Sequence, residues 1–337
     1  MKEFFGATPC GNSAYLYTIS CGGMKAVLSD FGATLVRLYV PDSTGHTEDV
    51  VLGFDSPAAY AASTAYLGAT VGRNANRIKD AAIVVGNTTY ALKANDGHNS
   101  LHSGPNGFER RMWNVAWHSK SGICFTLHSP HMDQGFPGNA QIQVTYQLTT
   151  DSLEISYEAI ADQDTVFNMT NHSYFNLAGH SKPEKALSQL LSLPARVFAP
   201  ASSESIPTGE LRSVMGTPMD FRLPKALGQD IEADYEPLHL QKGYDHNFEV
   251  FCNPCATLTD PDSGRSMSVY TDCPGLQVYS ANYTCEDGKD GVRYEPRCAV
   301  CLETQFYPDA IHNPQWKQPI TKAGEKYQSK TTYRFSW

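Results

Sequence analysis

The sequence predicts an antiparallel all-β protein, and three observations carry that expectation. Short runs rich in Val, Ile, Tyr, Thr and Phe recur roughly every ten to fifteen residues, each bounded by Gly, Pro, Asn or Asp. Apolar residues spaced three and four apart, the mark of a helix, are scarce. Between Gln141 and Leu148, apolar Ile142, Val144, Tyr146 and Leu148 alternate with Gln141, Gln143, Thr145 and Gln147, which describes a strand with one buried and one wet face.

Along the chain, the same composition predicts strands at 24–28, 33–40, 82–85, 88–92, 115–119, 124–128, 141–148, 152–159, 256–259, 267–271, 276–281, 299–303 and 331–335. Asn95-Asp96-Gly97, Pro261-Asp262-Ser263-Gly264 and Glu286-Asp287-Gly288 hold residues that tolerate positive φ, so hairpins or loops are expected there. Two short surface helices are expected. One spans 56–60, with Ser56 as cap and Pro57 at the first helical position. The other spans 226–233, where Leu227 and Ile231 are four apart. No linker, charge run or fixed-period repeat divides the chain, so residues 1–337 are expected to form one domain.

Composition narrows the function. With 337 residues, 41% apolar and 18% charged, the chain is long enough for a large core and unlike a disordered sequence. Lys plus Arg number 26 against 35 Asp plus Glu, and the net charge of −9 repels nucleic-acid phosphates and anionic membranes. Neither partner is expected. The opening Met1-Lys2-Glu3-Phe4-Phe5-Gly6 lacks an apolar signal core, and no later run approaches membrane-spanning length, so a cytoplasmic location is expected. Nine cysteines, an odd number in a long chain, read as reduced thiols. Cys252/Cys255 and Cys298/Cys301 have zinc-ligand spacing, but the second pair falls on an expected strand, where side chains three apart face opposite ways. No metal site is expected. No two glycines are separated by a single residue, which removes the dinucleotide-binding loop and with it a nicotinamide cofactor. P-loop, HExxH and GxSxG patterns are also missing from the sequence.

Five segments carry polar residues that a β core does not need. Gly72-Arg73-Asn74-Ala75-Asn76-Arg77-Ile78 sets two arginines and two asparagines in a loop, and Asn95–Gly104 contains His98 and His102. Asn171-His172-Ser173-Tyr174-Phe175-Asn176-Leu177 puts an imidazole, which exchanges protons near neutral pH, beside aromatic faces suited to a sugar ring. Gly243-Tyr244-Asp245-His246-Asn247-Phe248 sets an acid between aromatics. In Leu302-Glu303-Thr304-Gln305-Phe306 a glutamate ends an apolar strand, where it must be paired, solvent-facing or functional.

With these segments the sequence resembles the aldose 1-epimerases, or galactose mutarotases, over essentially its whole length. The matching motifs are Asn76-Arg77-Ile78, Leu101-His102, the 171–177 segment, Tyr244-Asp245-His246-Asn247-Phe248, Pro274-Gly275-Leu276-Gln277-Val278-Tyr279 and Leu302-Glu303-Thr304-Gln305. The resemblance implies a large antiparallel β-sandwich, a supersandwich, with an open sugar cleft on a curved sheet. It implies interconversion of the α and β anomers of free aldohexoses such as glucose and galactose, without a cofactor, by a monomer or weak homodimer. By match, Glu303 is the general base and His172 the general acid, while Asn76, Arg77, His102, Ser173, Tyr174, Asp245 and Gln277 hold the sugar. Two positions depart from the family pattern: Ser103 and Ala299 stand where glycines are usual. A sugar-phosphate epimerase would need further cations for the phosphate. A binding module could use the same aromatics and amides, but would not need an acid and a base together.

Overall fold

The computed structural model describes residues 1–337. Lys2–Ala7, Ser13–Cys21, Met24–Ser29, Thr34–Pro41 and Thr47–Asp49 pair in sequence order into a five-stranded sheet. A nine-stranded sheet follows the order Asn114–His118, Gly122–Ser129, Ala140–Leu148, Ser152–Ala161, Lys326–Ser336, Ser266–Thr271, Ala256–Thr259, Leu190–Ser192, Lys225–Ala226. Its centre is the C-terminal strand, which pairs antiparallel with Ser152–Ala161 on one side and Ser266–Thr271 on the other. A six-stranded sheet runs Tyr174–Phe175, Val300–Gln305, Gly275–Tyr279, Asp245–Glu249, Val197–Ala199, Arg212–Ser213.

Alternation explains how these layers stack. Ile142, Val144, Tyr146 and Leu148 are all buried, as their period of two requires. Tyr17 meets Phe125 edge-on, ring centroids 6.1 Å apart, joining the five-stranded to the nine-stranded sheet. On the six-stranded side Phe175 lies 5.0 Å from Tyr333, whose hydroxyl donates to the Leu302 carbonyl at 3.1 Å. A continuous apolar core of 54 buried residues reaches from Tyr17 to Phe335. Removing each large side chain from water contributes roughly 1.5–3 kcal/mol.

Every expected strand overlaps an observed one. The helix Pro57–Ala62 has Ser56 as its cap, with Oγ accepting from the Ala59 N–H at 3.2 Å. The expected helix over 226–233 does not form. Leu227 and Ile231 are buried, but the Leu227 and Gly228 N–H groups bond to the Gln189 and Leu187 carbonyls, so the segment is held by the 3-10 turn that leads into the strand Leu190–Ser192 rather than by its own turns. Gly228 in mid-segment also weakens a helix by about 1 kcal/mol. A helix lies further on, at Glu236–Gln241, with Pro237 in its first turn. The loop at 261–264 joins Ala256–Thr259 to Ser266–Thr271 as expected. Glu286–Asp287, in contrast, belong to a two-residue strand facing Arg293–Tyr294, and the turn falls after them. The strand expected at 299–303 begins at Val300, leaving Cys298 in the preceding bend, and Cys298 and Cys301 join one apolar cluster.

Cross-strand register on the six-stranded sheet builds the site. Tyr174, Cys301, Tyr279 and Asp245 are successive partners, as are Glu303, Gln277 and Asn247. Directly paired residues share a face, and residues two apart on a strand do too. The two rows therefore lie side by side on one face, a polar patch on an otherwise buried sheet.

Candidate active site

That patch forms the floor of a cavity of about 180 Å³. Its lining includes Glu303, His172, Asp245, Arg77, Asn76 and His102, together with Tyr66, Tyr174 and Tyr279. This is below the roughly 300–1,000 Å³ of sites for drug-sized ligands, so it suits one small polar molecule.

His172 follows the strand Thr170–Asn171 and is 5% exposed. Its ring lies between Tyr174 and Tyr66, centroids 5.1 and 5.8 Å away and nearly parallel at 24° and 23°. Nε2 is 3.7 Å from Glu303 Oε1, and Nδ1 is 3.6 Å from Cys301 Sγ. Burial pushes the imidazole down to about 4. Glu303 is 2% exposed, and its Oε2 has no hydrogen-bond partner. Burial, and secondarily the negative charge of Asp245, hold its carboxyl well above the usual carboxylate range. Both shifts favour uncharged forms, so the empty site keeps one proton for the pair, on the carboxyl, beside a neutral ring.

The surrounding groups are fixed by short loops. Asn76 and His102 both have positive φ, 62° and 49°, and the Asn76 N–H donates to His102 Nδ1 at 3.1 Å. A neutral His102 therefore carries its proton on Nε2, and burial keeps it neutral by lowering its pKa well below the ordinary value. Arg77 is aimed by Asp96, whose Oδ2 accepts from Nε at 2.7 Å. Asp245 Oδ1 accepts from Gln277 Nε2 at 2.6 Å, and burial raises its pKa against the opposing effects of Arg77 and Gln277. The first loop thus divides its two arginines. Arg73 is buried, donating to Ser129 Oγ and to the carbonyls of Ser129, Pro137 and Gly138, whereas Arg77 faces the cavity.

Most residues singled out in the sequence converge here, with two corrections. Ser173 is not on the cavity: its hydroxyl donates to Asn171 Oδ1 at 2.5 Å, and an extended backbone turns it away from the side that His172 and Tyr174 share. Gln277 does not line the main cavity either; it backs Asp245 and lines a smaller adjoining pocket with Asn76, Arg77 and Asn247. Tyr174 contributes its ring, since its hydroxyl already donates to the Ala65 carbonyl at 2.8 Å. Ser103 has φ of +73°, the region that favours glycine, and its hydroxyl ties both the N–H and the carbonyl of Asn74. Ala299 sits at an ordinary φ with its methyl in the apolar cluster. Tyr66, Tyr283, Thr284 and Glu286 line the cavity without having been singled out. Of these, Tyr66 carried the only readable signal, a lone aromatic two residues before Gly68.

The site has the donors to hold a polyhydroxylated ring, aromatic faces for its C–H surface, and a carboxyl and an imidazole to move protons. His172, Cys301 and Glu303 are also the residues grouped closely enough to hold a metal ion. The family model described as Aldose 1-epimerase matches residues 15–334. The galactose mutarotase of Bos taurus is 37% identical over 342 residues, covering 99% of this chain and 98% of the relative. The aldose 1-epimerase of Haemophilus influenzae is 38% identical over 321 residues, 93% of each chain. Among solved structures, an aldose epimerase homologue from C. elegans superposes with a TM-score of 0.88 at 30% identity, over 96% of this chain and 99% of that one. The galactose 1-epimerase of Lactobacillus acidophilus gives 0.87 at 26% identity, over 100% and 98%. The chain belongs to the aldose 1-epimerase family.

Proposed function

We propose that the protein is a cofactor-independent aldose 1-epimerase that interconverts the α and β anomers of free aldohexoses such as glucose and galactose. The observation that carries this reading is the Glu303–His172 pair, 3.7 Å apart at the floor of a small polar cavity. A cyclic hemiacetal carries its hydroxyl and its ring oxygen on one carbon. Opening it requires a base at the first and an acid at the second, so the two groups must be near neighbours.

The single proton held by the pair is sufficient. Polar groups of the bound sugar replace what burial removed, and the proton crosses from Glu303 to His172, giving carboxylate and imidazolium without any change in total protonation. Glu303 then takes the proton of the C1 hydroxyl while His172 Nε2 delivers one to the ring oxygen. The ring C1–O bond breaks and leaves the open aldehyde. Rotation about C1–C2 presents the other carbonyl face, and closure returns both protons along the same paths. Arg77, Asn76 and His102 Nε2–H supply donors to ring hydroxyls, and Asp245, held by Gln277, accepts from them. The rings of Tyr66, Tyr174 and Tyr279 flank the apolar C–H surface.

The continuous core supports one domain over 1–337. No helix is long and apolar enough to cross a membrane, and the acidic composition fits a cytoplasmic monomer or weak homodimer. Polarimetry with freshly dissolved α-glucose and α-galactose tests the function. Rotation should reach equilibrium much faster than in buffer, and glucose 6-phosphate should not be preferred, because the cavity offers Arg77 as its one cationic side chain. A rate equal to the spontaneous one overturns the reading.

A further inference from the structure

Cys301 has no part in the proton transfers and does not itself line the cavity, yet its buried thiol lies 3.6 Å from His172 Nδ1. It precedes Glu303 by two residues on the same strand, so both side chains rise from one face, and His172 lies 3.6 Å from the thiol and 3.7 Å from the carboxyl. One ligand atom from each of the three lies within 4.8 Å of the other two, and all three residues are buried. Glu303 Oε1 lies 3.7 Å from His172 Nε2, and its Oε2 is buried without a hydrogen-bond partner.

We propose that His172, Cys301 and Glu303 form a binding site for a borderline-soft divalent cation of the Zn²⁺ class, and that this cation competes with the sugar; the competition rests on the proposed sugar cleft. The donor set is the first argument. One imidazole nitrogen, one thiolate and one carboxylate oxygen suit zinc or cobalt, whereas magnesium and calcium take oxygen donors throughout. The geometry is the second. Zinc ligands at about 2.0–2.3 Å stand roughly 3.3–3.7 Å apart in a tetrahedron. The Nδ1–Sγ and Nε2–Oε1 separations are 3.6 and 3.7 Å. The ring offers a different nitrogen to each neighbour, so a cation on one nitrogen requires the other side chain to turn toward it; the 4.8 Å limit makes that a torsional adjustment. The third is coordination number, since three protein donors leave the fourth position facing the cavity, as in open zinc sites. On binding, the thiol proton and the proton held on the Glu303 carboxyl both pass to solvent. The cation then occupies both proton carriers, and the loaded protein cannot open the ring.

Cobalt(II) is the probe, because thiolate ligation gives a sulfur-to-cobalt charge-transfer band in the near ultraviolet, read without any activity measurement. Wild type and Cys252→Ser, which removes the exposed thiol of the other CxxC pair, should each bind one Co²⁺ per chain with this band, and excess galactose should bleach it. Cys301→Ser should lose the band, and Glu303→Gln should bind at least tenfold more weakly. Zn²⁺ should raise the apparent KM for galactose in wild type, and inhibit Cys301→Ser at least tenfold less, measured against that variant's own metal-free rate. A band that is missing in wild type, or that persists in Cys301→Ser, overturns the site. A Cys301-dependent band indifferent to galactose overturns the competition. Loss of mutarotation in metal-free wild type, with the band intact, would instead remove the sugar reading.

Discussion

Replacing Glu109 by Gln should stabilise the protein at pH 8 and leave it nearly unchanged at pH 4. Glu109 lies beneath Tyr66, lining a small internal pocket with Thr34, Tyr60 and Ser63, and its side chain is 9% exposed. Neither carboxyl oxygen has a hydrogen-bond partner. The neighbouring Arg110 Nε is 3.5 Å from Oε1, but its guanidinium donates to the Ala61 and Ser63 carbonyls. Burial therefore dominates and raises the carboxyl from 4.5 to about 7. Between these values the native state holds a proton that the unfolded chain has lost, so stability falls as pH rises and the loss is complete above about 7. The shift corresponds to about 3 kcal/mol at most. An amide and a protonated carboxyl each present one donor face and one acceptor face, so the two neutral forms are equivalent to first order. For a chain of this length, unfolding entropy near 2 cal/mol/K per residue converts the gain to about 4 °C in Tm. Thermal unfolding of both proteins at the two pH values measures it. An equal gain at both pH values, or none at pH 8, would refute the reasoning.

Asp245→Ala and Arg77→Ala should each lower kcat/KM roughly tenfold to a hundredfold, because each removes a charged hydrogen-bonding partner worth about 1.5–3 kcal/mol; unchanged values for both would make these loops structural. The pH profile of kcat/KM should show its acid limb near 4, where a second proton enters His172, and its alkaline limb above the usual carboxylate range, where Glu303 loses the shared one. A fall centred near 6.5, the ordinary imidazole value, would show that the two groups titrate independently. EDTA should not lower the rate, because the proton transfers need no Lewis acid; loss of activity restored by zinc would contradict that.

The fold was legible where one face of a strand meets water and the other meets apolar neighbours, as at Ile142, Val144, Tyr146 and Leu148. It was not legible where the sheet turns a polar face into the cavity. In Asp245–Glu249, Asp245 and Asn247 occupy the face that apolar residues would otherwise hold, so the alternation disappears although the strand is buried at its centre. The same inversion made the chemistry readable: Glu303 and His172 stand out because an apolar core has no other use for them. Their neighbours were harder to find. Glu286 reaches the cavity from a two-residue strand outside every motif, and only the folded chain brings it near. Ser173 shows the converse limit, since membership of a polar motif does not fix which side of an extended backbone faces the ligand.

The most direct test of the central claim is the mutarotation rate of Glu303→Gln and His172→Asn, followed by polarimetry on folded protein. Each substitution keeps polar shape but cannot carry the proton, and positioned acid–base catalysis contributes about 10²–10⁴-fold per group. The account predicts that kcat falls by that order in both variants, from either anomer, while KM changes far less. A kcat within a few-fold of wild type for either variant would contradict it and remove that residue from the mechanism.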